Sequence, residues 1–302
     1  MKALVIGYHA WDVVLPCGEL PPLDHKGECP GMITGGGGPA ATASVALARL
    51  GVDVEYLGVF GDDAPSRMQR EELVVEGVVV ERCPVETGGR SPLAVAIVDP
   101  TSGCRRICWS RGSLRRLRID EVDPGWLTGI DLLLTDSHEP LAAAVLAREA
   151  RRRSIPVVLD GGTPRDGVAE LMPLVSDAIG SEIFAPRLTG SEDQREALIA
   201  LGKLGPGRVA TTMGERGCLA LERGSWLHVP AFDVPVIDTT GAGDAFHAGY
   251  AWGLLRGEDF AGALRTGAAV AGLACGGMGG RSALPSPEAV LDLLTHGQAR
   301  LG

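Results

Sequence analysis

The residues best equipped for chemistry lie in one string, Asp238-Thr-Thr-Gly-Ala-Gly-Asp244-Ala-Phe-His-Ala-Gly-Tyr250. Apolar residues Phe232–Ile237 read as a strand leading in, and a helix is predicted to start near Ala242. Small residues Gly241, Ala242 and Gly243 at a helix start leave backbone N–H groups unpaired and approachable by a bulky anion. Such a cradle suits phosphoryl transfer, in which charge spreads over the equatorial oxygens of the moving group. Asp244 falls in the first helical turn. A carboxylate repels phosphate, so it is a poor anion ligand but a sensible base for an attacking hydroxyl. The plainer reading is a Gly-rich helix start with Asp244 favouring the helix dipole. A lone Gly-x-Gly would support no more than that, whereas the seven-residue string Asp238–Asp244 between a strand and a helix is far more specific. The sequence holds no Gly-x₄-Gly-Lys-[Ser/Thr], no Gly-x-Gly-x-x-Gly after Gly7, no His-Glu-x-x-His and no Gly-x-Ser-x-Gly.

Positioning that string requires a layered α/β frame. Strands are predicted at Ala3–Gly7, Glu55–Phe60, Val78–Arg82, Leu132–Thr135, Pro156–Asp160, Asp177–Gly180 and Arg208–Thr212, with a hairpin around Cys218–Val229. Helices are predicted near Ala40–Leu50, Ala64–Glu76, Leu141–Arg153, Gly167–Leu174, Glu192–Leu204, Ala242–Leu255, Phe260–Gly272 and Pro287–His296. Short apolar strands alternating with helical patterns imply a doubly wound, mostly parallel sheet with helices on both faces. Asp12–Thr34, rich in Pro, Gly and Cys, does not fit this alternation. Neither does Ser91–Ser110, which reads as strands Leu93–Asp99 and Arg105–Ser110 joined by a turn at Pro100–Gly103. Pairing the two stretches gives a small accessory sheet covering the active end. The expected organisation is a single unit over 1–302, with the accessory sheet drawn from about 12–35 and 88–112 and the remainder forming the large α/β domain.

Composition narrows the partners. Lys and Arg number 28 against 38 Asp and Glu, a net charge of −10, which argues against nucleic acid as main partner. No apolar run is long enough for a membrane span, and His9 and Asp12 interrupt any secretory core after the first strand. Seven scattered cysteines favour reduced thiols and a cytoplasmic setting. Cys104 and Cys108 with Cys17 and Cys29 could be imagined as a zinc site, but a closed site usually has a tighter Cys-x-x-Cys pairing.

The string Asp238–Phe246 resembles the C-terminal signature of the PfkB (ribokinase-like) carbohydrate kinases. Gly36-Gly-Gly-Pro-Ala-Ala-Thr-Ala-Ser-Val-Ala-Leu-Ala-Arg-Leu-Gly51 resembles their N-terminal one, and a Gly58-x-x-Gly61-Asp62 turn follows at the usual distance. The resemblance runs from Lys2 to about Leu293. It implies a ribokinase-like fold with a β-sheet lid, and ATP-dependent phosphorylation of a hydroxyl on a sugar or sugar-like molecule. Asp244 would be the catalytic base and Gly241, Ala242 and Gly243 the anion hole. Asp12 would bind sugar hydroxyls as an acceptor, Gly37 and Gly38 would form hinge and close approach, and Thr42 stands where the family usually has Asn. Thr212, Gly214 and Gly217 resemble the turn that touches the nucleotide phosphates, although a plain turn into the hairpin explains the glycines as well. The helix Phe260–Gly272 and the Cys275–Gly280 loop would flank the adenine.

ATP and Mg²⁺ are the implied cofactors, and K⁺ is the expected monovalent cation, with Asp238 and Thr240 at matching positions. The family's Asn-x-x-Glu would fall at Ser181–Phe184 and does not match; Glu182 is two positions off, which leaves Asp160, waters and the ATP oxygens to handle Mg²⁺. Within the family, the motif combination including Gly279-Gly-Arg-Ser-Ala-Leu-Pro285 is most similar to sulfofructose kinase-type members. A sulfonate would call for arginines such as Arg105, Arg106 and Arg111, and His138 could touch a charged sugar end; a solvated strand face and a core histidine are the plainer readings. The apolar lid strand Leu93–Val98 suggests a homodimer. The competing functions are a regulatory protein that binds sugar and nucleotide with little turnover, suggested by Thr42 and Ser181–Phe184, and a nucleoside kinase on the same fold.

Overall fold

Runs such as Ala3–Ile6 and Leu132–Leu134 have no polar face, so as strands they must be covered on both sides. The computed structural model describes residues 1–99, 101 and 105–300. Its strands are β1 (Lys2–Ile6), β2 (Ala10–Pro16), β3 (Ile33–Gly37), β4 (Asp53–Leu57), β5 (Phe60–Gly61), β6 (Val85–Glu86), β7 (Leu93–Val98), β8 (Arg105–Ser110), β9 (Leu132–Asp136), β10 (Val157–Gly161), β11 (Asp177–Ser181), β12 (Arg208–Thr212), β13 (Cys218–Glu222) and β14 (Ser225–Val229). The helices are α1 (Pro39–Arg49), α2 (Ala64–Val75), α3 (Pro140–Arg152), α4 (Val168–Leu171), α5 (Phe184–Thr189), α6 (Gln194–Lys203), α7 (Ala242–Leu255), α8 (Phe260–Ala274) and α9 (Pro287–His296).

The main sheet runs β14-β13-β12-β11-β10-β9-β1-β4, parallel from β12 to β4 and antiparallel at the β13–β14 hairpin. Alternate residues serve opposite faces: Ala3, Val5, Leu132 and Leu134 pack with α1, α7 and α8, whereas Leu4, Ile6 and Leu133 pack with α3, α4, α5 and α6. Helix α7 has little polar surface because it is enclosed by neighbours. Gly249 lies against Val270 and Gly253 against Ala263, where a Cβ would sit 2.7–2.8 Å from the neighbouring helix.

A second sheet, β3-β2-β7-β8, is built from the two stretches that broke the alternation. Its inner residues Val14, Ala96 and Val98 pack on Met278. The Pro100–Gly103 turn, Cys104 and the side chain of Arg105 lie outside the described residues, Thr101 excepted.

Two expectations are corrected and one helix is added. Val78–Arg82 is not a strand; Val79 makes one bridge to Glu55, and a turn closed by Cys83 N–H on Val80 O ends the pairing. Phe232–Ile237 is not a strand either: Ile237 and Asp238 donate to Cys275 O and Asp233 to Gln298 O, so the segment ties down the end of α8 and the C-terminal tail. Helix α5 was not expected from the sequence; its Pro186 sits in the first turn, where a missing N–H does no harm.

Candidate active site

Gly241 caps α7 with φ +74°, and a Cβ there would lie 2.7 Å from Gly280 O. Only glycine lets the 279–280 loop press so closely on the helix start. Asp238 holds this junction: one carboxylate oxygen accepts from Thr240 N at 2.9 Å and Thr240 Oγ1 at 2.7 Å, the other from Gly279 N at 2.9 Å. Asp238 is thereby committed to the loop. Within the cradle Ala242 N–H donates to Thr239 O at 3.2 Å. The N–H groups of Gly241, Gly243 and Asp244 have no acceptor among the described residues. The unpartnered N–H groups of this turn are thus those of Gly241, Gly243 and Asp244, Ala242 spending its own on the turn, and the space above Gly243 is open.

Asp244 is half-buried and faces other acids. Burial first, and then the charge of Asp160, raise its pKa well above the usual carboxylate range, against a smaller opposing effect of His247. Asp160, at the end of β10, is raised by burial and by Asp136. His247 holds this corner, with Nδ1 2.7 Å from Gly243 O and 3.3 Å from Asp160 Oδ2, and Nε2 3.0 Å from Ile179 O. Asp136, at the end of β9, accepts from Tyr8 N at 2.7 Å and His138 N at 2.8 Å, and burial pushes it up to about 6. These acids sit at the carboxyl-terminal edge of the parallel strands, the usual crevice for ligands in such sheets.

The small sheet contributes the opposite wall. Asp12 on β2 lies over Gly37, where a Cβ would fall 2.1 Å from its carboxylate, and Gly38 turns with φ +88° into α1. Burial pushes Asp12 up to about 6, with Arg281 pulling the other way. Arg281 is 6 % exposed, and sequence reasoning missed it. It donates to Glu72 at 2.9 Å, Gly37 O at 3.2 Å and Thr42 Oγ1 at 3.3 Å. A lone arginine in the Gly- and Ala-rich run Gly276–Pro285 was the available signal. Through it Asp12, Gly37 and Thr42 form one group within electrostatic reach of Asp244. His138 is buried and stacks on Tyr8 at 4.1 Å between ring centroids.

The predicted nucleotide residues stand at the end of β12, two strands from β10. Thr212 Oγ1 reaches Gly180 O at 3.4 Å. Gly214 (φ +59°) is open around its Cα, whereas a Cβ on Gly217 would strike Val229 O at 2.1 Å. Gly217 thus serves the hairpin, and Gly214 is the accessible member of the pair. Glu182, just after β11, is paired with Arg216. Among the described residues no cluster of three or more His, Cys, Asp or Glu forms a closed metal site. Asp160, an oxygen donor without a full counter-charge, fits Mg²⁺, which needs few protein ligands when nucleotide phosphates supply the rest.

A backbone anion cradle, an adjacent carboxylate and a facing polar wall define a phosphotransferase acting on a small hydroxylated molecule. The chain belongs to the pfkB family of carbohydrate kinases, whose model matches residues 1–287. It is 32 % identical over 302 residues to an ATP-dependent ribose-1-phosphate kinase of Halopiger xanaduensis, covering 98 % of this chain and 99 % of that protein. A ribokinase of Haemophilus influenzae is 27 % identical over 86 % of this chain and 87 % of its own length. The crystal structure of a putative ribokinase from Agrobacterium tumefaciens superposes with TM-score 0.88 at 26 % identity, covering 97 % of each chain. The fold is ribokinase-like, and the protein is an ATP-dependent sugar kinase. The regulatory alternative is not favoured. Among the described residues no helix is long and apolar enough to cross a membrane.

Proposed function

We propose that Asp244 accepts the proton of the sugar hydroxyl while the N–H groups at the start of α7 hold the transferred phosphoryl group. The observation that carries this reading is the half-buried Asp244 carboxylate beside unpartnered N–H groups in one helical turn. As the hydroxyl oxygen bonds to the γ-phosphorus, its proton passes to Asp244 and the bond to the β–γ bridging oxygen breaks, leaving ADP. Charge on the equatorial oxygens meets donors that are already oriented, so no reorganisation is needed at the moment of transfer. Mg²⁺ bound with the nucleotide would be held by Asp160 and would offset phosphate charge. Asp12 and Thr42 orient the sugar, with Arg281 bonding Thr42 and attracting the Asp12 carboxylate. The relatives named for ribose and ribose 1-phosphate support a pentose-sized acceptor.

The small sheet acts as a lid, because ATP in an open cleft would meet water as readily as sugar. Its outer residues Trp11, Val13, Leu15, Val95 and Ile97 are apolar and only half-buried, which supports a second copy covering them. Light scattering at micromolar concentration should give the mass of a dimer; a monomer mass contradicts that part. The kinase reading itself is tested by ADP release in a coupled assay with ribose, deoxyribose and fructose. Turnover at least 100-fold above sugar-free ATP hydrolysis is expected with one of them or its phosphate ester. Equal ADP release with and without sugar contradicts it.

A further inference from the structure

We infer that the acceptor sugar carries a tetrahedral oxyanion, a phosphate ester or a sulfonate, held by Arg111 and Arg165 with Tyr8 and His138. This rests on the kinase reading and extends it to the end of the substrate away from the reacting hydroxyl. Tyr8 follows β1, His138 follows β9, Arg165 lies in the loop after β10, and Arg111 directly follows β8 of the small sheet. Four loops that are remote in sequence thus deliver their side chains to one corner of the cleft.

The corner is unfinished without a ligand. Tyr8 Oη, His138 Nδ1 and Arg165 Nε are buried and have no hydrogen-bond partner among the described residues. Such atoms are rare in native structures, and three in one place point to a group that is absent. Arg111 and Arg165 make no side-chain hydrogen bond or ion pair among the described residues, whereas neighbouring Arg115 is paired with Glu121 and Arg116 donates to Asp166 O. Arg165 is disfavoured as a cation by burial and by the like charges of Arg111 and Arg116, a repulsion that a bound anion would relieve. Two acids stand beside this corner and both are engaged: Asp136 accepts from the N–H groups of Tyr8, His138 and Ala40, and Glu139, which burial favours in its protonated form, accepts from Leu117 N at 2.7 Å.

The chemistry of the four groups agrees. Guanidinium forks match the oxygens of phosphate and sulfonate. Burial keeps the Tyr8 phenol protonated, up to about 12, and His138 neutral, down to about 3, so both enter as uncharged donors that add direction without more repulsion. Asp136 stands between this corner and the reacting carboxylates, since it bonds Tyr8 and His138 on one side and raises Asp160 and Asp244 on the other. An anion at one end and an acceptor hydroxyl at the other is the geometry of a monophosphorylated or sulfonated sugar lying across Asp12.

The test compares ribose and fructose with ribose 1-phosphate, ribose 5-phosphate, fructose 6-phosphate and 6-deoxy-6-sulfofructose, by kcat/KM and by calorimetric binding without ATP. One anionic sugar should exceed its neutral parent at least 100-fold in kcat/KM, and the phosphate and sulfonate arms identify the group. Arg165→Ala and Arg111→Ala should each cut that preference at least tenfold; the Arg111 side chain has no hydrogen-bond or ion-pair partner among the described residues, so its variant folds even where the other does not. Neutral sugars preferred by the wild type, or a preference unchanged in both variants, would overturn the inference. Arginine-dependent binding of an anionic sugar with no ADP from any sugar would uphold the subsite and refute the kinase reading. ADP release from neutral sugars alone would do the reverse.

Discussion

At the amino-terminal edge of the main sheet, Asp177 is 2 % exposed and fully engaged. Its carboxylate receives the Tyr250 hydroxyl at 2.6 Å, the Ser176 hydroxyl at 2.6 Å and Arg208 at 3.3 Å. At the carboxyl-terminal edge the buried groups are left incomplete. The buried unpartnered side-chain atoms among the described residues belong to Tyr8, His9, Gln69, His138 and Arg165, all near that edge or the small sheet that faces it. Asp12, Asp136, Asp160 and Asp244 there are all pushed toward the protonated form by burial. One edge spends its polar groups on the fold, while the other withholds them for ligands.

Substitutions should separate the two edges. The largest effect is expected from Asp244→Asn, which removes the proposed base and should lower kcat by about 10²–10⁴-fold while the urea midpoint is kept or rises, since a repelled carboxylate is lost. Gly241→Ala follows, because its φ of +74° and the 2.7 Å approach to Gly280 O admit no side chain without movement. It should lower kcat by about 10²-fold through misplaced N–H donors. Asp177→Ala should reverse the pattern, with kcat within twofold and a stability loss of roughly 1–3 kcal/mol in urea unfolding, the half-buried Arg208, still paired with Glu222, softening the cost.

Glu139, 6 % exposed beside the cleft, is raised to about 8 chiefly by burial. The native state therefore binds its proton more tightly than the unfolded chain does. The sign follows: stability present at low pH is lost as pH rises from the ordinary glutamate range through about 8, by up to roughly 5 kcal/mol. Glu139→Gln should flatten that slope between pH 5 and pH 8.5 (roughly the interval spanning both values). The smallest effect belongs to Glu182→Ala, which loses an exposed ion pair with Arg216 and should change stability by less than about 0.5 kcal/mol and kcat by less than twofold. A large fall in kcat there would move metal handling from Asp160 toward Glu182.

What could be read from sequence follows from how contacts are distributed along the chain. Strands such as β10 and helices such as α7 carry their own apolar pattern, so they were predicted almost residue for residue. The Phe232–Ile237 segment has the same apolar character, but its hydrogen bonds go to Cys275 and Gln298, partners no local pattern reveals. The small-residue helix start was legible because Gly241, Ala242, Gly243 and Asp244 are contiguous. The division within it was not, since Ala242 loses its N–H to a turn that only coordinates display. Arg281, Tyr8 and Arg165 were illegible as site residues because strand order, not sequence distance, brings their loops together.

The central claim is that a sugar hydroxyl lies between Asp244 and a phosphoryl group seated on the start of α7. The most direct measurement is a crystal structure with a sugar substrate and a non-hydrolysable ATP analogue bound. The expected result is an acceptor hydroxyl about 2.6–3.2 Å from an Asp244 carboxylate oxygen, with the γ-phosphate against the N–H groups of Gly241 and Gly243. A hydroxyl more than about 5 Å from Asp244, with no bridging water and the γ-phosphate seated elsewhere, would contradict it.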